Sequence, residues 1–118
     1  MKTQSAKSKG RRLQQLVVSH ILKHSKGLTE DDVVSRPMGS PGSDVMLSQE
    51  ALKQWPFDIE CKNLKDGFTK IYNALEQSEV RGRVPLGVFK QNRKQPFVAM
   101  YLEDFMDILE AYNDLKEM

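Results

Sequence analysis

The stretch FDIECKN, residues 57–63, alternates between apolar and charged side chains. Phe57, Ile59 and Cys61 are the apolar members, and a charged residue follows each of them. This period of two predicts a half-buried β-strand, in which every second side chain lies on one face. The pattern sets Glu60 and Lys62 side by side on the polar face. They form either ordinary solvated surface or an acid and a base held at one spot for chemistry.

The composition around this stretch is that of a small soluble domain. The chain has 118 residues, of which 39% are hydrophobic and 29% are charged, and this suits one domain with a modest core. No apolar run approaches the roughly 18 residues of a membrane helix, so no membrane association is expected. Cys61 is the single cysteine, which excludes an internal disulfide and a multi-cysteine zinc site. We therefore expect a reducing compartment, the cytoplasm.

The net charge of +2 conceals an asymmetry along the chain. Residues 103–118 hold six acidic residues and one basic residue, whereas residues 1–102 hold 17 basic and 10 acidic residues. A basic body favours a polyanionic partner, above all nucleic acid. A charged surface that only keeps the protein soluble explains the same balance.

The hydrophobic periodicity predicts the element order α-β-β-β-α-β-β-α. We expect a flexible basic arm at residues 1–10, followed by a single domain at residues 11–118. Strands that meander, then a helix, then further strands indicate an α/β fold with a mixed central sheet flanked by helices. The predicted helices span residues 11–26, 68–79 and 102 onward, and the predicted strands span residues 33–35, 44–47, 57–63, 85–90 and 97–102.

An acidic residue upstream gives the polar face of FDIECKN a partner. Asp44 begins a predicted strand directly after the glycine-rich loop MGSPGS, residues 38–43. If the two strands are neighbours, Asp44, Glu60 and Lys62 converge on one patch. Two carboxylates suit Mg²⁺ or Mn²⁺, and a lysine can orient the attacking water or neutralise a phosphate. The simpler interpretation is a surface ion pair, since about one E-x-K match is expected by chance in a chain of this composition.

The motifs, in this order, resemble those of the PD-(D/E)XK nuclease superfamily. The matching residues are GSD at 42–44 and ECK at 60–62. KGRRLQQLV at 9–17 is similar to the opening helix of the archaeal-type Holliday junction resolvases. The spread of motifs from Lys9 to Phe105 also resembles a group of small, phage-encoded predicted endonucleases. The resemblance implies a restriction-endonuclease-like αβββαβ core and a nuclease that uses Mg²⁺ or Mn²⁺.

The resemblance also assigns roles to individual residues. Asp44 and Glu60 match the metal-binding acids, and Lys62 matches the active-site lysine. The Cys61 carbonyl matches a backbone oxygen that often joins the metal shell. Gln14 departs from the pattern, because many relatives have at this position a glutamate that reaches the metal. An amide oxygen can hold a metal-bound water but adds no charge, so a weaker metal affinity is implied.

Nucleic-acid contacts are expected from basic residues of the first helix and of the loops. In a nuclease these side chains would contact backbone phosphates, and otherwise they are solvated surface. Gln77 on the second helix is a further candidate, since some members of the superfamily use a glutamine there to position the site or the DNA. The basic candidates are Lys9, Arg11, Arg12, Arg36, Lys90, Arg93 and Lys94.

Three functions stay open on this reasoning. The first is a metal-dependent DNA endonuclease, for which the resemblance suggests a Holliday junction or other branched DNA as substrate and a homodimer as the acting form. The second is a non-catalytic nucleic-acid-binding module that keeps the nuclease fold, and the Gln14 departure favours it. The third is an interaction protein with no nucleic-acid role.

Overall fold

A computed structural model of the chain describes residues 2–79 and 82–118, with side chains from Ser5 onward. Helices and strands follow one another in the order α-β-β-α-α-β-β-α, which confirms a mixed α/β composition. The elements are α1 (Lys2–His24), β1 (Val33–Ser35), β2 (Val45–Leu47), α2 (Gln49–Gln54), α3 (Thr69–Glu79), β3 (Gly87–Phe89), β4 (Phe97–Ala99) and α4 (Leu102–Lys116).

The first helix is longer than expected. It begins at Lys2, so the backbone of residues 2–10 continues α1 instead of forming a separate arm. Lysine, arginine, glutamine and alanine are good helix formers, and the first proline of the chain, Pro37, comes well after α1 ends. Although α1 has 23 residues, it is polar around most of its circumference. No helix of the described residues is both long enough and apolar enough to cross a bilayer.

The hydrophobic core lies where α1 meets α4 and the hairpin β1–β2. Ile21 of α1 has no exposed surface, and Val33 of β1 and Trp55 are almost as deeply buried. The indole Nε1 of Trp55 donates a hydrogen bond of 2.6 Å to the hydroxyl of Ser25, which satisfies the one polar group of the buried ring. Each of these large side chains contributes about 1.5–3 kcal/mol by leaving water.

The segment 49–54, which lies outside the predicted helices and strands, forms the short helix α2. Ser48 caps it, because its hydroxyl accepts the backbone N–H of Ala51 at 3.1 Å. The side chain of Gln54 then bonds both backbone groups of Lys26, at 3.0 Å and 2.8 Å. Asn113 of α4 donates to the Gln54 carbonyl at 3.0 Å. These bonds fix α2 between the end of α1 and the end of α4.

The predicted third strand is not a β-strand. Residues 57–63 are extended but form no ladder, and only one backbone bond, from Asp44 N–H to the Ile59 carbonyl at 2.9 Å, joins them to their neighbour. The next donor that a ladder would use, the Cys61 N–H, bonds instead to the Asp44 carboxylate at 2.7 Å. A side-chain oxygen thus replaces a backbone partner, and pairing stops after one bond.

The predicted mixed central sheet is also not found among the described residues. β1 pairs only with β2, and β3 pairs only with β4, both in antiparallel register. The hairpin β3–β4 packs on α3, away from the hydrophobic core. We call residues 2–63 and α4 the body of the molecule. Residues 64–79 and 82–100, which contain α3 and the hairpin β3–β4, are the outer segment.

Candidate functional site

Asp44 links the G-S-D motif at 42–44 to the E-C-K motif at 60–62. Its N–H donates to the Ile59 carbonyl at 2.9 Å, and its Oδ2 accepts the Cys61 N–H at 2.7 Å. Residues 59 and 61 therefore present backbone groups to Asp44 as alternate residues of a strand would. The carboxylate is held against the backbone that joins Glu60 to Lys62. Asp44 therefore contacts the segment that carries Glu60 and Lys62, although the segment is not a strand.

The side chains of residues 57–63 follow the predicted alternation in part. Ile59 and Cys61 pack against the hydrophobic core, whereas Phe57 is 38% exposed and its ring meets the edge of Phe105 at a centroid distance of 5.7 Å. Glu60 and Lys62 are exposed. Burial of the Cys61 side chain and alternating polarity therefore follow from the same two-residue period.

The electrostatics at Cys61 place two negative charges nearby. The pKa of the Cys61 thiol is raised above its ordinary value, first by burial and then by the charges of Asp44 and Glu60. Both carboxylates are thus close enough to act on one sulfur atom. Because the thiol is half-buried and disfavoured as a thiolate, it is better described as a small apolar side chain than as a nucleophile.

The donor set is small for a metal ion. Among residues 2–79 and 82–118, no three side chains of His, Cys, Asp or Glu come together as a metal cluster. Asp44 and Glu60 offer two carboxylates, and the backbone carbonyl of Cys61 is a further oxygen of the same segment. Mg²⁺ is commonly held by one or two carboxylates while it keeps several waters and binds substrate phosphates. The residues present fit such a substrate-completed ion and do not fit a site made wholly of protein ligands.

Gln14 lies beside this arrangement but is engaged elsewhere. It is only 4% exposed, and its Oε1 accepts a hydrogen bond of 2.7 Å from the Ser35 hydroxyl. Ser35 is the cross-strand partner of Val45, the residue after Asp44. The amide therefore ties α1 to the hairpin that carries Asp44. Gln77, the other glutamine of interest, is exposed on α3.

The glycine-rich loop before Asp44 is built around Arg36. The Arg36 Nε donates to the Ser43 carbonyl, and the Arg36 N–H donates to the Asp44 carbonyl at 2.9 Å. Gly42 has a φ of 113°, and a Cβ there would lie 2.6 Å from the Arg36 guanidinium carbon. Part of the Arg36 guanidinium thus holds the loop, which restricts what it can offer to a phosphate.

The remaining basic candidates fall into two groups. Lys9, Arg11 and Arg12 are exposed on α1. Lys90, Arg93 and Lys94 are exposed in the turn between β3 and β4, where Arg93 has a positive φ of 69°. Of the first group, Lys9 and Arg12 line a cleft together with Asn63, the residue after Lys62. The second group belongs to the outer segment.

Clefts surround Lys62 on two sides. A mainly apolar cleft of about 360 Å³ lies between α1, residues 55–62 and α4, with Glu60 and Lys62 in its lining. A second cleft of about 320 Å³ runs between Leu13 of α1 and residues 62–72. Lys62 lines both, so the site opens into concave surface.

Two contacts of the site region were not anticipated from the sequence. The Ser43 hydroxyl donates to the Asp58 carboxylate at 3.2 Å, which gives Asp58 a role in fastening the glycine-rich loop to residues 57–63. Asn63 lines both clefts that border α1 on its basic side. Its only signal in the sequence was its place directly after the E-C-K motif.

The candidate site therefore comprises Glu60 and Lys62 on one short connection and Asp44, which is bonded to that connection at Cys61. Clefts and a basic helix border Lys62. Comparison of the chain with protein-family models, curated proteins and solved structures gave no match. The chemistry of these side chains is the basis on which a function is assigned.

Proposed function

We propose that this protein is a Mg²⁺- or Mn²⁺-dependent DNA endonuclease of the cytoplasm that hydrolyses phosphodiester bonds. The observation that carries the proposal is the hydrogen bond between the Asp44 carboxylate and the Cys61 N–H at 2.7 Å. This bond joins the G-S-D and E-C-K motifs and supports a site made by Asp44, Glu60 and Lys62. The proposal includes a relationship to the restriction-endonuclease-like αβββαβ core, with residues 57–63 at the place of its third strand.

Each residue of the patch has a distinct part in this chemistry. The metal ion, when bound, lowers the pKa of a water and stabilises charge on the transferred phosphate. Asp44 and Glu60 would hold the ion, and the Cys61 N–H keeps the Asp44 carboxylate turned toward the segment. The Lys62 ammonium, exposed beside them, attracts the scissile phosphate and orients the attacking water.

The decisive experiment compares variants on the polar face of residues 57–63. Glu60→Gln and Lys62→Ala are expected to lower cleavage of a mixture of linear, flapped and four-way DNA by roughly 100-fold or more. Asp58→Asn is the matched control, because Asp58 matches no motif position and an amide oxygen there still accepts the Ser43 hydroxyl. Wild-type activity in both Glu60→Gln and Lys62→Ala, with folding confirmed by circular dichroism, would contradict the assignment.

A second candidate function is a nucleic-acid-binding module without catalysis. The buried position of Gln14 and its bond to Ser35 favour it, since the side chain at this place serves packing and brings no charge. This alternative predicts salt-sensitive DNA binding with no cleavage in Mg²⁺ or Mn²⁺. Replacing Gln14 by Glu tests the difference, because a gain of cleavage in Gln14→Glu indicates a site that lacks only charge.

The proposal extends to a homodimer. The accessible surface is 9139 Å², whereas a compact monomer of this mass exposes about 6,500 Å². Much apolar surface is exposed on the hairpin β3–β4, where Val88 and Val98 are each more than 60% exposed. Light scattering coupled to gel filtration distinguishes a 13.5 kDa monomer from a particle of twice that mass. A monomer at 100 µM or so would exclude this part of the proposal without affecting the catalytic part.

A further inference from the structure

Two clefts join beside Lys62 to form one groove along α1. The first, of about 320 Å³, is lined by Leu13 and by residues 62–72. The second, also of about 320 Å³, lies farther toward the start of α1, between Lys9, Arg12 and Asn63. Leu13 and Asn63 line both clefts, so the two adjoin along α1. The groove thus leads from the basic side of α1 to the candidate site.

The charge of this groove is strongly positive. Its lining holds four basic residues and one acidic residue, Asp66. Within residues 2–79 and 82–118, the ion pairs are made by other cations, namely His24, Lys26 and Lys53. The basic side chains of the groove are therefore available to an anionic chain that follows it. They are Lys9, Arg12, Lys62 and Lys65.

An aromatic ring is exposed in the same groove. Tyr72 of α3 lines the cleft together with Phe68, and Tyr72 is 54% exposed. Basic side chains that follow a backbone, together with a ring on which a base can stack, are the two elements of single-strand binding sites.

We infer that this groove binds a single nucleic-acid strand and delivers it to the candidate site, with Tyr72 stacking on an unpaired base. The inference deepens the proposed endonuclease function by naming its substrate class: single-stranded nucleic acid, or the unpaired strand of a flap. A duplex keeps its bases stacked on one another, so it offers no free face to a ring inside a cleft. Arg12 and Lys65 contact phosphates on either side of the stacked base.

The test measures binding separately from cleavage. Fluorescence anisotropy in chelator follows a labelled 20-mer as single-stranded DNA, as single-stranded RNA and as duplex DNA. We expect tighter binding of single strands than of the duplex, and a loss of roughly 5- to 100-fold for Tyr72→Ala. Tyr72→Phe keeps the stacking face and is expected to bind as wild type does. Tyr112→Ala is the matched control, since Tyr112 is 55% exposed but lies on α4.

The salt dependence of strand binding provides a second test. For a single strand, each phosphate contact contributes about 0.7 to the slope of log K against log salt, so Arg12→Ala and Lys65→Ala should each lower the slope by about that amount. Lys53→Ala removes a surface lysine that pairs with Glu50 and should leave the slope unchanged. Because these variants are all at exposed positions, their folds are expected to persist.

The outcomes separate this inference from the proposed function. Tyr72-dependent binding of DNA or RNA single strands supports the groove, and the tighter of the two identifies its occupant. Such binding without cleavage of any substrate would leave the groove in place and overturn the endonuclease. Equal or tighter binding of the duplex, with Tyr72→Ala unchanged, overturns the groove even if Glu60-dependent cleavage is observed.

Discussion

The body and the outer segment differ in how much hydrophobic surface each of them buries. Every member of the hydrophobic core cluster comes from the body, from α1, β1, β2, α2, Trp55 and α4. In the outer segment Leu75 is buried, but its hairpin exposes Val88 at 67%. Its one aromatic pair, Phe89 on Phe97 at 5.6 Å, joins the two strands of the hairpin to each other.

We assign the positioning of catalytic groups to the body and contact with the substrate to the outer segment. Asp44 is held in the body by hydrogen bonds to the backbone of residues 59 and 61, the segment that carries Glu60 and Lys62. The outer segment contributes Lys65 and Tyr72, which we assign to substrate contact. Catalytic groups require a fixed geometry, whereas groups that follow a flexible strand tolerate movement. The four predictions below test this division, starting with the largest expected effect.

The largest contrast is in stability. Ile21→Ala removes a side chain with no exposed surface and is expected to lower the unfolding free energy by about 2–5 kcal/mol. Val88→Ala, on the exposed strand β3, should change it by less than about 0.5 kcal/mol. Urea denaturation followed by circular dichroism measures both. A large loss of stability in Val88→Ala would show that the outer segment folds as part of the body.

The second contrast lies within the glycine-rich loop. Gly42→Ala meets both an unfavourable φ of 113° and a 2.6 Å approach to Arg36, and we expect a loss of about 1–3 kcal/mol. Gly39→Ala is the matched control, because Gly39 has a φ of 84° with no atom within 4 Å of the added Cβ. Gly39→Ala should therefore cost less. Equal effects of the two variants would mean that the loop is not held by Arg36 as part of the body.

The third test measures how the stability of the fold changes at low pH. The pKa of Asp32 is lowered, first by the N–H of Thr29 and then by the hydroxyl of Ser48, the cap of α2. A carboxyl with a lowered folded-state pKa stabilises the fold above its unfolded pKa, and this contribution is lost as the pH falls through the folded pKa. Asp32→Asn should therefore flatten the decline of stability below about pH 4. Asp31→Asn, at the neighbouring exposed position, should not.

The smallest expected effect concerns the thiol at the site. Because Glu60 contributes to the raised pKa of Cys61, Glu60→Gln should increase the rate of alkylation of Cys61 by about two-fold or more at neutral pH in chelator. The charge of Asp58 is absent from the causes of that shift, so Asp58→Asn is the control. Equal rates in wild type and Glu60→Gln would place the Glu60 charge farther from Cys61 than the structure does.

The alternation of residues 57–63 predicted the packing of Ile59 and Cys61 on the core, but not the exposure of Phe57 or the hydrogen bonds of the backbone. Burial of Ile59 and Cys61 depends on local polarity, which a period of two expresses directly. The absence of a ladder depends on the Asp44 carboxylate, 17 residues away, taking the Cys61 N–H. Such competition between a side chain and a backbone carbonyl leaves no periodic signal.

Other differences have equally local causes. The helix α2 had a usable signal, since Ser48 precedes QEALKQ, a run of residues that favour helices. The division of the strands into two hairpins had no usable signal in the sequence, because the pairing of strands is set by packing between distant parts of the chain. For the site, the sequence supplied Asp44, Glu60 and Lys62, whereas the groove along α1 required the position of Asn63 against Lys9 and Arg12.

The burial of Trp55 also determines what can be observed by fluorescence. It is the only tryptophan of the chain, and its Nε1 is bonded to Ser25 inside the body. An indole in this setting emits at short wavelength and shifts to longer wavelength only when α1 separates from α4. Tryptophan emission therefore reports on the body alone. Opening of the hairpin β3–β4, or binding of a strand at Tyr72, would leave this emission unchanged. Detecting either event would need a probe placed on the outer segment.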